Sequence, residues 1–339
     1  MTLLCIEGFD HFLETDISDK NWLFGNISFI DVSSTYARFS GQGVKSAQSS
    51  IGYIRKNIGV DKSTIYFGIA VKKASALTPD YSTADLPFIG IKDEAGVYQV
   101  KLHVLADLSI GAYDGSNSLL GSSSSSVVPS ERWFYLEGKI TISATVGEVT
   151  LRVNETQVLN LTSQDTKNGT DYIRYIEFCS MYNDLEVHFD DFYVDDAQFH
   201  GDCRIRTFMP DSISTTNNSF TASAGNKNEC VDETLSNEDT DYIYSSTLNH
   251  KQGFGITTGA LGTVKGIQLN NHCRDDAAGS RKITPLIRSN GTDYSGTESD
   301  AITSEYLFES EVWETDPDDS NPWTQTKLEA AEFGLEITT

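Results

Sequence analysis

Apolar and polar residues alternate with a period of two along most of the chain. "STIYFGIAVKK" (63–73), "LPFIGIKD" (86–93), "VYQVKLHVLA" (97–106), "RWFYLEGKITI" (132–142), "GEVTLRVN" (147–154) and "DYIRYIEF" (171–178) each read as a strand with one face buried. In 97–106, Val100, Leu102 and Val104 fall on one face. Val97, Gln99, Lys101 and His103 fall on the other, with a switch near the end of the run. "DEAG" (93–96), "YDGSNS" (113–118), "ATVG" (144–147) and "KNG" (167–169) supply the turns, and "GSSSSS" (121–126) a surface loop. Short strands at such intervals, with no helix between them, predict an antiparallel sandwich.

The texture changes after Gly201. Residues 206–247 are polar and rich in turn formers. Strand-like runs return at 262–275, 282–291 and 304–317, and "WTQTKLEAAEFGLEI" (323–337) reads as a short helix. Thr324 is its N-cap, Gly334 its end, and a last strand follows at Leu335–Ile337. The expected organisation is all-β, with a sandwich domain at 1–200 and a smaller β-sandwich domain with one short helix at 203–339. No repeat of 20–50 residues and no sustained heptad is present, which argues against solenoids, propellers and coiled coils.

The chain has 339 residues and a formal net charge of −24. There are 15 basic and 26 acidic residues before Gly201, and 10 and 23 from there on, so both halves are acidic. A nucleic-acid partner needs a basic face and is not expected. No run of eighteen apolar residues occurs, so membrane insertion is not expected. The start "MTLLCIEGFD" does not read as a signal peptide. The five cysteines are scattered, and Cys230, His272 and Cys273 lack the paired spacings of a zinc site. Six N-x-S/T matches fit a polar β surface rather than glycosylation.

Chemistry is sparse in the sequence. There is no G-x-S-x-G, no H-E-x-x-H, and no strand with carboxylates spaced for a glycosidase pair. The six histidines stand alone. "VHFDDFYVDDAQFHGDCRI" (187–205) concentrates carboxylates. Strict alternation puts Asp190 and Asp191 on opposite faces, and one of them could join Asp10 or Glu7 as a calcium ligand or cap backbone amides. Tyr81, Tyr113 and Tyr182, in turn-like segments, are candidate sugar-stacking residues.

Three phrases, "EGFDHF", "ERWFYLEGKITI…GEVTLRVNETQVLNL" and "VHFDDFYVDD", resemble concanavalin A-like, laminin G-like jelly-roll domains, with Trp133, Gly147, Asn154 and Asp190-Asp191-Phe192 in the matching roles. "GDCRIRTFMPDS", "VDETLSNEDTDYIYSS" and "VWETDPDDSNPWTQTKLEAAEFGLEI" are similar to the C-terminal domain of tailed-bacteriophage virion proteins. The resemblance implies a non-enzymatic structural component of a virion, a decoration, collar, tail or fibre-type protein. It would be assembled in the host cytoplasm, a homo-oligomer in contact with other virion proteins and with a host-surface glycan. The alternative is a carbohydrate-binding adhesin or a glycan depolymerase on the particle. No cofactor is implied beyond the candidate calcium.

Overall fold

The run Thr64–Lys73 shows how alternation becomes a layer. Ile65, Phe67, Ile69 and Val71 are fully buried toward the opposing sheet. On the other side Gly68 leaves room for two rings: a Cβ there would stand 2.1 Å from Tyr193 Cε1 and 2.8 Å from Tyr135 Cε1. A glycine inside a strand marks such close approach.

The computed structural model describes residues 3–46, 52–73, 87–179, 186–276 and 281–338. The chain folds as two units, Thr2–Arg206 and Thr207–Thr339. The first contains β1 (Leu3–Glu7), β2 (Trp22–Phe24), β3 (Ile30–Ser33), β4 (Gly43–Ser46), β5 (Tyr53–Lys62), β6 (Thr64–Lys73), β7 (Ile89–Lys92) and β8 (Tyr98–Val104). It continues with β9 (Ile110–Asp114), β10 (Leu119–Ser122), β11 (Trp133–Thr141), β12 (Gly147–Val153), β13 (Thr156–Gln164), β14 (Ile173–Cys179) and β15 (Val187–Asp195).

These strands form two antiparallel sheets of jelly-roll type. One has the order β13-β12-β11-β6-β15-β4-β3, with β1 added beside β15; the other runs β10-β9-β8-β7-β14-β5-β2. The sheets meet through rings. Phe178 of β14 lies 5.3 Å from Phe189 and 5.0 Å from Phe192 of β15, and Trp22 of β2 lies 5.7 Å from Phe192. Each such ring removed from water contributes about 2–3 kcal/mol. Asn154 and Glu155, at φ 47 and 65, close the β12–β13 hairpin as a two-residue turn whose positive φ values match the strand twist.

The second unit contains β16 (Ser212–Asn218), β17 (Thr221–Ala222), β18 (Ile243–Tyr244), β19 (Lys251–Gly255), β20 (Ile267–Cys273), β21 (Lys282–Ser289), β22 (Thr292–Ser295), β23 (Leu307–Trp313), α1 (Gln325–Ala330) and β24 (Glu332–Thr338). Its main sheet is β16-β19-β24-β21-β22, and β20 pairs with β23. Asn290-Gly291, both at positive φ, turn β21 into β22. Ile287, Trp313, Trp323, Leu328 and Phe333 form its core, where the Trp323 Nε1–H donates to the Trp313 carbonyl at 3.1 Å.

Thr324 caps α1 as expected, its hydroxyl accepting from the Lys327 amide at 3.3 Å. Gly334 does not end the helix. The helix stops at Ala330, and Gly334 lies inside β24, where a Cβ would stand 1.8 Å from the Gln252 carbonyl oxygen. The glycine answers a close strand approach rather than a helix C-terminus. The long strand Tyr53–Lys62 has no counterpart in the sequence reading, because "YIRKNIGVDK" breaks its alternation after Ile58.

Candidate functional site

Two acidic and aromatic constellations stand out in the first unit. The first surrounds Asp190 and Asp191 in the segment 187–205. Strict alternation does not hold there. The register slips between Asp190, opposite Ala70, and Tyr193, opposite Gly68, and Asp191 takes φ 51. This bulge turns both carboxylates away from the inter-sheet core, in which Phe189 and Phe192 are buried.

The backbone uses these carboxylates. Asp190 accepts from the Arg38 amide at 2.7 Å and the Asp191 amide at 2.8 Å. Asp191 accepts from the Ile205 amide at 2.7 Å and pairs with the Arg38 guanidinium at 3.4 Å. Asp10 accepts from the Gln42 amide at 2.7 Å. Burial, and next the Asp191 charge, push the Asp190 carboxyl up to about 8, against the two amides that favour its ionised form. Glu7 is buried too, and accepts from the Phe9 amide at 3.1 Å. With these oxygens committed to N–H donors, the set does not present calcium with the oxygen shell it needs. Among the described residues, no group of three or more His, Cys, Asp and Glu side chains is arranged to hold a metal ion. The aspartates instead tie residues 201–206 to the sheet. Arg38 also bridges to Asp202 at 2.7 Å, and Glu137 accepts from the Gly201 amide at 2.8 Å.

The second constellation lies on the outer face of the seven-stranded sheet. Phe178 points between the sheets, so Glu177 points out. The register then lines up one row across β5, β14, β7, β8 and β9: Arg55, Glu177, Gly90, Lys101 and Tyr113. The next row holds Tyr175, Lys92 and Tyr98. Gly90 gives the row a gap that the Tyr98 ring fills, since a Cβ on Gly90 would stand 2.4 Å from Tyr98 Cε1. Lys92 Nζ lies 3.9 Å and Lys101 Nζ 4.7 Å from the centre of that ring.

Glu177, 1% exposed, organises the cluster. It pairs with Lys92 Nζ at 2.7 Å and with Arg55 Nε at 3.2 Å, and accepts from the Tyr98 hydroxyl at 2.5 Å. Burial, and then the neighbouring Cys179 and Glu177, raise the Tyr98 hydroxyl far above the usual phenol range, so it stays protonated. Arg55 donates to the Tyr53 hydroxyl at 3.0 Å and stacks over the Tyr53 and Tyr175 rings. Further along, His103 meets Tyr113 edge to face at 4.9 Å. Burial, and next the Lys101 charge, lower the His103 pKa to about 4, leaving a neutral imidazole at neutral pH.

Of the sequence candidates, Tyr113 lies on this face. Tyr81 and Tyr182 lie outside the described residues. Lys101 and His103 share the face as the alternation indicated. Gln99 does not: a bulge between Ile91 and Lys92 turns it, fully buried, onto the Asn168 carbonyl at 2.8 Å and puts Tyr98 on the face instead. The switch thus sits at the start of β8, not at its end. Tyr98, Glu177 and Arg55 went unread, although Glu177 inside the apolar run "DYIRYIEF" was a signal in itself.

No family model and no curated protein sequence matches the chain. Among solved structures it is similar to the alginate lyase Aly36B, at 13% identity and TM-score 0.39, covering 57% of this chain and 97% of that one. It is also similar to a carbohydrate esterase of the Shiga toxin-encoding bacteriophage phi24B (12%, TM-score 0.36, 57% and 100%). A third is a sialidase (10%, TM-score 0.41), of which the match spans 58% of this chain and 19% of the sialidase's length. A GH131 β-glucanase catalytic domain from Podospora anserina matches at 12% and TM-score 0.37, covering 59% of this chain and 98% of that one. These are likenesses of fold. The expectation of a non-enzymatic chain is set aside: the lyase, the esterase and the glucanase named here are enzymes, and likeness to them lends it no support. The missing carboxylate pair bears only on glycoside hydrolysis by two carboxylates.

Proposed function

We propose that this is a carbohydrate-active protein whose saccharide site is the outer face of the seven-stranded sheet. The observation that carries the reading is the Tyr98 ring seated over Gly90 between Lys92 and Lys101, with Glu177 holding its hydroxyl. Sugar rings are bound by aromatic faces and by fixed polar groups on rigid elements, and this face supplies both, with Tyr113 and Tyr98 in adjoining rows of the sheet. The phage-type phrases of the second unit support a place on a tailed-phage particle, where the chain would meet a host-surface glycan as a homo-oligomer beside other virion proteins.

The test is retention and turnover of a polysaccharide panel by the whole chain, followed by affinity electrophoresis and product analysis. Tyr98→Ala should abolish retention, while Tyr244→Ala, on the second unit, should leave it unchanged. Retention that survives Tyr98→Ala, or none on any polysaccharide, overturns the assignment.

A further inference from the structure

We infer that Asn168 and Gln99, which stand off the saccharide face, are the positioning residues that set Tyr98 on it; the bearing on saccharide binding rests on the reading above. The start of β8 can meet β7 in two registers. In the observed one Lys92 lies opposite Tyr98 and Ile91 opposite Val100, so Gln99 is the extra residue of the bulge. Closing the bulge would put Gln99 opposite Lys92 and Tyr98 opposite Asp93. Tyr98 would then turn to the inner side of the sheet, away from Gly90, and Gln99 would take its place, as strict alternation in 97–104 indicates. The connection between β13 and β14 holds the first register against the second.

Gln99, fully buried, uses its carboxamide as a short piece of strand. Its Oε1 accepts from the Asn168 amide at 2.8 Å, and its Nε2 donates to the Asn168 carbonyl at 2.8 Å. The Asn168 side chain returns the contact, its Nδ2 donating to the Tyr98 carbonyl at 3.0 Å. Gly115 makes that reach possible, because a Cβ there would stand 2.0 Å from the Tyr98 carbonyl oxygen and 2.3 Å from Asn168 Nδ2. Asp93, also buried, closes the arrangement by accepting from the Val97 amide at 2.9 Å and the Thr170 hydroxyl at 3.0 Å. The connection is itself anchored, since buried Thr166 donates to the Thr141 carbonyl at 2.7 Å. In the closed register Gln99 would leave the Asn168 peptide, and the Asn168 side chain would lose the Tyr98 carbonyl. Buried amides left without partners cost more than such pairs contribute when made. The clamp therefore selects the bulge, and through the bulge the ring.

The experiment uses the whole chain and reads tyrosine ionisation by ultraviolet absorbance as pH rises. In the wild type Tyr98 donates to Glu177 and should stay protonated through the ordinary phenol range at about pH 10. Asn168→Asp removes the donor to the Tyr98 carbonyl, and Gln99→Glu removes the donor to the Asn168 carbonyl. In each, one further tyrosine should ionise in that range while the circular dichroism of the sheets is retained. Adding Tyr98→Phe to Asn168→Asp should abolish the extra ionisation, which identifies the ring. Lys167→Ala, exposed in the same connection, should titrate as the wild type does. Retention of whichever polysaccharide the wild type binds should fall at least about tenfold in Asn168→Asp. A wild-type titration in Asn168→Asp, loss of its sheet signal, or an extra ionisation that survives Tyr98→Phe overturns the inference. The titration needs no ligand. A wild-type chain that retains no polysaccharide therefore removes the saccharide site and leaves the positioning of Tyr98 standing.

Discussion

Tyr98 and Glu177 come from strands separated by β7, yet the Tyr98 hydroxyl reaches Glu177 Oε1 at 2.5 Å. The reach is possible because Gly90, on the strand between them, has no side chain to obstruct the ring. The same carboxylate holds Lys92 and Arg55, so one acidic side chain positions three groups of the candidate site.

Glu177→Gln removes the carboxylate that both Lys92 and Arg55 are paired with and leaves two cations without it in a buried setting. Breaking a buried pair from one side costs about 3–5 kcal/mol. Tyr98→Phe removes one charge-assisted hydrogen bond and should cost about 1.5–3 kcal/mol. Urea unfolding should rank the two in that order; an equal or reversed ranking would show that Glu177 does not organise the cluster.

Gly90→Ala places a methyl group where the Tyr98 ring lies. The ring must leave its gap between the two lysines, at a cost of about 1–3 kcal/mol in overpacking. Saccharide retention should fall with it, and a wild-type midpoint and retention together would argue that the gap is not needed.

His103 sets a pH slope. Its folded pKa of about 4 lies below the ordinary histidine value, so the unfolded chain takes up a proton first as pH falls. The stability this contributes is present above about pH 6.5 and is lost as pH falls toward 4, a difference of about 1–3 kcal/mol after partial solvent screening. Melting curves across that window should show a shallower slope for His103→Gln than for the wild type.

Asp190 slopes the other way. Its raised folded value means that the protonated form fits the fold better. The contribution is present below about pH 4 and is lost as pH rises through about 8. Asp190→Asn, which carries no charge, should lose less stability than the wild type between pH 5 and 9; parallel curves for the two proteins would contradict this.

The sequence exposed its layers more readily than its sites. Alternation in 63–73, 132–142 and 147–154 is unbroken, and those strands appear where the pattern puts them. Both constellations, by contrast, depend on bulges. An extra residue at Gln99 moves Tyr98 onto the sheet face, and another at Asp191 puts both aspartates on one side. A bulge inverts the facing of every residue beyond it while leaving local composition unchanged, so no count of apolar spacing reveals it. The assembly of Arg55, Glu177 and Lys101 into one row comes from strands far apart in sequence, a property of register rather than of any motif.

The stretch through Arg206 has a practical meaning for anyone dissecting this protein. Its amides at Gly201 and Ile205 satisfy Glu137 and Asp191, and its Phe199 ring packs on Tyr66. Shortening the first unit to residue 195 would take one donor from each of these two acids and remove the ring that packs on Tyr66. A fragment ending after Arg206 keeps its own clasp and is the one to express.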